Sequence, residues 1–130
     1  MSGPQVASEY TFVIAVVDPA SSEEERLVGE CSTHGIDWRN RLVQVGVCIS
    51  APKNRGCGYG GTAVREVVGW AVGFLGLRQI EAWAIEGNAL SLGMFTGLVF
   101  VEEGLLRDRY LVGRRRKGMH VLAWTDDRSR

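Results

Sequence analysis

Arg55-Gly56-Cys57-Gly58-Tyr59-Gly60-Gly61-Thr62 is the stretch on which the fold turns. It follows an apolar run at 43–49 and precedes a helical pattern that begins near Ala63. Glycine lets a backbone approach a ligand closely, and a helix start leaves N–H groups unpaired. Together they make a grip for phosphate or pyrophosphate.

Upstream of the loop, residues 10–17 are continuous and β-branched and read as a buried strand. Asp18-Pro19 stops it, and 21–25 form a polar turn. A second strand is expected from Arg26 to about Thr33, antiparallel to the first, then a loop at 35–40. The third strand is 42–49, ended by Ala51-Pro52.

Downstream, Val64, Val67, Val68, Ala71, Val72 and Leu75 keep helical spacing over 63–77, and Gly76 closes that helix. Residues 79–85 read as a fourth strand. Strand, loop, helix and strand make one βαβ unit, so the third and fourth strands should be parallel. Gly87-Asn88 leads into a short helix over 89–98. Residues 105–112 and 118–124 form a closing hairpin around the basic turn Gly113-Arg114-Arg115-Arg116-Lys117. Trp38, Trp70, Trp83 and Trp124 are expected in or around the core. The organisation is a short N-terminal segment (1–9), one domain (10–125) and a polar tail (126–130).

Composition sets the outer limits. A chain of 130 residues with 45% apolar content can bury a core. Fifteen basic and fifteen acidic residues cancel, so bulk charge advertises neither nucleic acid nor an anionic membrane. The first nine residues lack the basic and apolar regions of a signal peptide, and no apolar run reaches spanning length. Cys31, Cys48 and Cys57 have no metal-ligand spacing and suit reduced thiols in a cytoplasmic protein; no metal is expected.

The glycines admit several readings. Gly56 to Gly61 satisfies G-x-G-x-x-G, but six residues separate it from the strand where a dinucleotide fingerprint turns almost at once. A nucleoside triphosphate loop needs Gly-Lys-Ser/Thr, which is absent. Glycines at a strand–helix junction can also serve steric ends alone. A third reading is an acyl-coenzyme A site. Arg55-x-x-Gly58-x-Gly60 resembles the pyrophosphate signature of GNAT N-acetyltransferases. Gly35-Ile36-Asp37-Trp38-Arg39-Asn40-Arg41 and Val45-Gly46 resemble the RimJ/RimL-type branch. So do Asn88, Ser91, Phe100, Val101-Glu102-Glu103-Gly104 and Arg107, in the branch's order.

The resemblance implies an α/β GNAT fold: a mixed, mostly antiparallel sheet with a parallel, splayed strand pair and flanking helices. It implies acetyl-CoA as acyl donor and an amine, either a protein N-terminus or a small molecule, as acceptor. The pantetheine arm would pair with Val47, Cys48 and Ile49. The pyrophosphate would lie on Arg55, Gly56, Cys57, Gly58, Tyr59, Gly60 and Gly61, with Thr62 reaching phosphate or capping the helix. Asn88 would bind the pantetheine or ribose–phosphate end.

The chain departs from its relatives in proton chemistry. An acid-donating tyrosine is replaced by Phe95, which has no proton to give, and a carboxylate by Gln44, which orients a water but is no base. Ser91, four residues before Phe95, is the candidate for binding or protonating the coenzyme sulfur. His34 leads the substitutes for the base, ahead of Glu30 and Asp37. The strand and two helices that open a full GNAT domain have no counterpart here, so the chain reads as N-terminally truncated. Its first strand would be left with an edge for a second copy or a partner to cover. A non-catalytic acyl-CoA-binding module is the alternative.

Overall fold

The computed structural model describes residues 9–17 and 26–126. The expected polar turn at 21–25, residues 1–8 and residues 127–130 lie outside the described residues. Strands β1 (Tyr10–Val16), β2 (Arg26–Asp37) and β3 (Leu42–Ile49) lead into a 3-10 turn at Pro52–Asn54 and helix α1 (Tyr59–Gly73). Strand β4 (Gln79–Ile85), helix α2 (Ala89–Gly97) and strands β5 (Val101–Val112) and β6 (Arg115–Thr125) follow.

The six strands form one sheet in the order β1-β2-β3-β4-β6-β5. Every neighbouring pair is antiparallel except β3 and β4, which are joined through α1 and run parallel. The expected mixed sheet, the βαβ unit and the GNAT architecture are therefore present.

Val64, Val67 and Ala71 line the inner stripe of α1 and are buried with Val43, Val45, Ile80, Ala82 and Leu122 of the sheet. Phe95 of α2 joins the same cluster, meeting Phe100 edge-on at 5.2 Å. Trp70 of α1 takes Tyr10 and Phe12 edge-on at 4.9 and 5.0 Å, which fastens β1 to the helix. Both helices thus pack on one face of the sheet. The other face presents Ser32, His34, Gln44, Gly46, Glu81 and Trp83, since residues opposed across a ladder share a face.

Several expected boundaries move. The second strand does not stop near Thr33. It runs through Gly35, at φ +62°, to Asp37, and the loop contracts to a turn at 38–41. Asp37 holds that turn by accepting from the Asn40 N–H at 3.0 Å and from its side-chain amide at 2.9 Å. Those two bonds lower the Asp37 carboxyl below its ordinary value.

Helix α1 begins at Tyr59, inside the glycine run, rather than at Ala63. Its first turn carries no apolar stripe for periodicity to detect. Gly76 does close the segment with φ +70°, after a last turn that ends the regular helix at Gly73. Strand β5 starts at Val101, and Arg115, Arg116 and Lys117 belong to β6, so the hairpin turn is Gly113-Arg114 alone. Trp70 and Trp124 pack on the core, whereas Trp38 and Trp83 are exposed. Among the described residues no helix is long and apolar enough to cross a membrane.

Candidate functional site

The ladder between β3 and β4 covers only four rungs, from Leu42↔Gln79 to Val45↔Ala82. Beyond them β3 continues through Gly46, Val47, Cys48 and Ile49, still paired to β2 on its other side. β4 likewise continues to Ile85 against β6. The two parallel strands therefore part, and the β4-facing edge of β3 offers backbone groups with no strand to meet them.

The glycine loop sits at the mouth of this gap. Gly56 and Gly58 take φ +77° and +86°, in the left-handed region that side chains disfavour. Gly58 is the N-cap of α1, and the first helical bond runs from the Thr62 N–H to the Gly58 carbonyl at 3.1 Å. The N–H groups of Gly58, Tyr59, Gly60 and Gly61 lie ahead of that bond and have no partner within the helix. Arg55 Nε donates to the Ile49 carbonyl at 3.2 Å, tying the loop to the strand end and holding the guanidinium beside those N–H groups.

Gly60 is needed for closeness. A Cβ there would stand 3.3 Å from Met94 Sδ and 3.6 Å from Val47 Cγ2, so α1, α2 and β3 converge on it. A cavity of about 390 Å³ opens at this junction, lined by Ile49, Asn54, Arg55, Gly58 and Gly60 on one side and Ala89, Gly93 and Met94 on the other. Consecutive helix-start N–H groups and one guanidinium make a donor set suited to a pyrophosphate. A larger hollow of about 1020 Å³ lies between the far ends of α1 and α2 and strand β6, away from the loop.

The expected site residues do not all fall together. Ile49, Arg55, Gly56, Gly58, Tyr59, Gly60 and Gly61 line the cavity together. Val47 lies beneath Gly60, while Cys48 and Cys57 are exposed, Cys48 on the helix-free face opposite Glu30. Thr62 faces elsewhere, into a groove between α1 and β1 shared with Phe12 and Trp70. Asn88 caps α2, its side-chain oxygen accepting the Ser91 N–H at 3.1 Å, and Ser91 is half-buried on the first turn. Phe95 lies in the core at 2% exposure.

Gln44 and His34 stand opposite each other on the helix-free face, where they share a hollow of about 190 Å³ with Glu81. Trp83 Nε1 donates to the Glu81 carboxylate there. Sequence reasoning missed Asn54, Ala89, Gly93 and Met94. Ala89 and Gly93 are small residues four apart on one helix face, a spacing that marks close approach. It also missed Ser32, two residues before His34 and so on the same strand face.

Comparison with known proteins matches this geometry. Residues 3–100 match the family described as acetyltransferase (GNAT) domain. An uncharacterized N-acetyltransferase p20 of Bacillus licheniformis is 30% identical over 86 residues, covering 66% of this chain and 48% of its own length. The human α/β-tubulin N-acetyltransferase 9 is 32% identical over 100 residues, covering 72% of this chain and 48% of its own. The chain thus spans about half the length of the curated relatives it matches. Among solved structures, a spermidine N-acetyltransferase SpeG of Vibrio cholerae superposes with a TM-score of 0.79 at 22% identity, over 91% of this chain and 66% of that one. A probable acetyltransferase superposes at 0.73 with 28% identity, over 77% and 55%. With the glycine loop, the parted strands and a family match over 3–100, the chain belongs to the GNAT acetyltransferase family.

Proposed function

We propose that this chain transfers an acetyl group from acetyl-CoA to a primary amine, either a protein N-terminus or a small-molecule amine, by direct attack on the thioester. The observation that carries this reading is the parting of β3 and β4 after Val45↔Ala82 beside the glycine loop. The pantetheine arm extends the sheet there as an added strand on Val47, Cys48 and Ile49. The pyrophosphate rests on the α1 N–H groups and Arg55, and Asn88 meets the pantetheine or ribose–phosphate end.

A β3 backbone N–H stabilises the tetrahedral oxyanion, Gln44 orients a water, and Ser91 returns a proton to the departing thiolate. The relatives' printed names, one acting on tubulin and another on spermidine, support an amine acceptor of either size. The ordered matches from Gly35 through Arg107 support the RimJ/RimL-type branch. Three free thiols suit a cytoplasmic setting, and the outer position of β1 leaves room for a second copy or a partner.

Calorimetry with acetyl-CoA, followed by an acetyl-transfer assay over a panel of amines, tests this. Arg55→Ala should weaken acetyl-CoA binding by roughly tenfold or more, the scale of a lost charge-assisted hydrogen bond. A folded chain that binds no acetyl-CoA overturns the reading. The second reading, a non-catalytic acyl-CoA-binding module, is favoured by Phe95, which is buried and has no proton to donate. Tight binding without any transfer would establish it.

A further inference from the structure

The helix-free face carries a linked set of side chains around His34, the leading candidate for the base. Ser32 Oγ and His34 Nε2 are 2.7 Å apart, and His34 Nδ1 lies 3.4 Å from a carboxylate oxygen of Glu9. A serine, an imidazole and a carboxylate thus stand in a row across the start of β1 and the C-terminal half of β2. Ser32 is the ladder partner of Gly46, the first residue of β3 past its last rung with β4. Gly46 has no side chain to cover them. A Cβ there would meet Ser32 Oγ and His34 Nε2 at 3.8 Å each. The row therefore ends at the gap where the strands part, on the side away from the helices.

We infer that Ser32, His34 and Glu9 form the proton relay that neutralises the acceptor amine. This rests on the acetyl-transfer reading above. The Glu9 carboxylate accepts a hydrogen bond from Nδ1–H, which fixes the tautomer and leaves the Nε2 lone pair to accept the Ser32 hydroxyl proton. Ser32 Oγ then takes one proton from the bound ammonium as its own passes to Nε2. The amine is left neutral and the imidazole charged beside Glu9. The amine nitrogen attacks the thioester carbon, the C–S bond breaks as the tetrahedral intermediate collapses, Ser91 gives its hydroxyl proton to the departing thiolate to form the coenzyme A thiol, and the second amine proton restores the Ser91 hydroxyl. The exposed imidazolium returns its proton to solvent.

Among the described residues three carboxylates stand around His34: Glu9 ahead of β1, Glu30 on the same face of β2, and Glu81 on β4 across Gln44. They favour the approach of an ammonium. Ser32 acts on the acceptor, His34 acts through Ser32, and Glu9 positions His34.

The test is the pH dependence of kcat/KM for whichever amine of the panel is turned over fastest, with acetyl-CoA affinity measured in parallel. His34→Gln and Ser32→Ala should each lower kcat/KM by about 100-fold, the lower range for a lost general base, with acetyl-CoA affinity unchanged. The acid limb of the profile should vanish in His34→Gln. Nitrogen-15 NMR of the imidazole should show the Nδ1–H tautomer in the wild type and a relaxed preference in Glu9→Gln. Activity with an unchanged profile in His34→Gln overturns the relay alone, as does an Nε2–H tautomer. An acetylated Ser32 detected by mass overturns it in favour of a covalent route. Acetyl-CoA binding without turnover of any amine overturns the relay and the acetyl-transfer reading together, and loss of acetyl-CoA binding in the wild type overturns the latter at its root.

Discussion

At position 29 a Cβ would stand 2.1 Å from the Cys48 carbonyl oxygen, a backbone atom that cannot swing aside. Gly29 opposes Ile49 and so sets how closely β2 lies against β3 where β3 leaves β4. At position 69, in the middle of α1, nothing lies within 4 Å of the same added atom. Alanine should therefore act with opposite sign at the two sites. Gly29→Ala should cost about 2 kcal/mol or more, as overpacking does, lowering Tm by roughly 8 °C for a domain of this size. Gly69→Ala should stabilise by about 0.5–1 kcal/mol through better helix propensity and a smaller loss of chain entropy. Thermal melts of the two variants check both.

Among the elements, α2 is the shorter of the two α-helices, nine residues, and its Asn88 side chain caps it. Asn88→Ala should cost about 1 kcal/mol, and Asn88→Ser, which can still accept the Ser91 N–H, should recover most of it. If Asn88 also holds the donor, the serine variant keeps its melting temperature yet binds acetyl-CoA more weakly in calorimetry. The legibility of the elements follows the same local physics. The strands at 42–49 and 79–85 were readable because apolar, β-branched residues fill them, and α2 because Asn88 announces it. The first turn of α1 was not, because Tyr59, Gly60 and Gly61 give periodicity nothing to register. The end of β2 was missed because Gly35 and Asp37 are turn formers carried inside a strand. The parting of β3 from β4 leaves no mark in apolar spacing; only the resemblance of Arg55 to Gly60 pointed there. The pairing of His34 with Ser32 was missed because the second strand was expected to end near Thr33, which left His34 outside it.

For the molecule as a whole, Cys31 couples the core to alkaline pH. It is fully buried on β2, and burial pushes its thiol from 9.0 up to about 11. Between those values the unfolded chain has released the proton and the folded chain keeps it. The unfolded state therefore binds fewer protons, and stability falls as pH rises through that window. Melts from pH 8 to 11 should show a decline that Cys31→Ala, compared with its own neutral-pH value, makes shallower. A thiol reagent should modify the exposed Cys48 and Cys57 in the native chain and reach Cys31 only on unfolding.

The four rungs joining β3 to β4 are also a mechanical seam. On one side lie β1, β2 and β3, on the other β4, β6 and β5, and among the described residues this is the one strand ladder between the two halves. A donor lying along Gly46 to Ile49 would lengthen the seam, so the ligand acts as a splint between half-sheets. Pulled apart by force, the unliganded sheet would open at Leu42–Val45 first, and acetyl-CoA would raise the load at which it gives way.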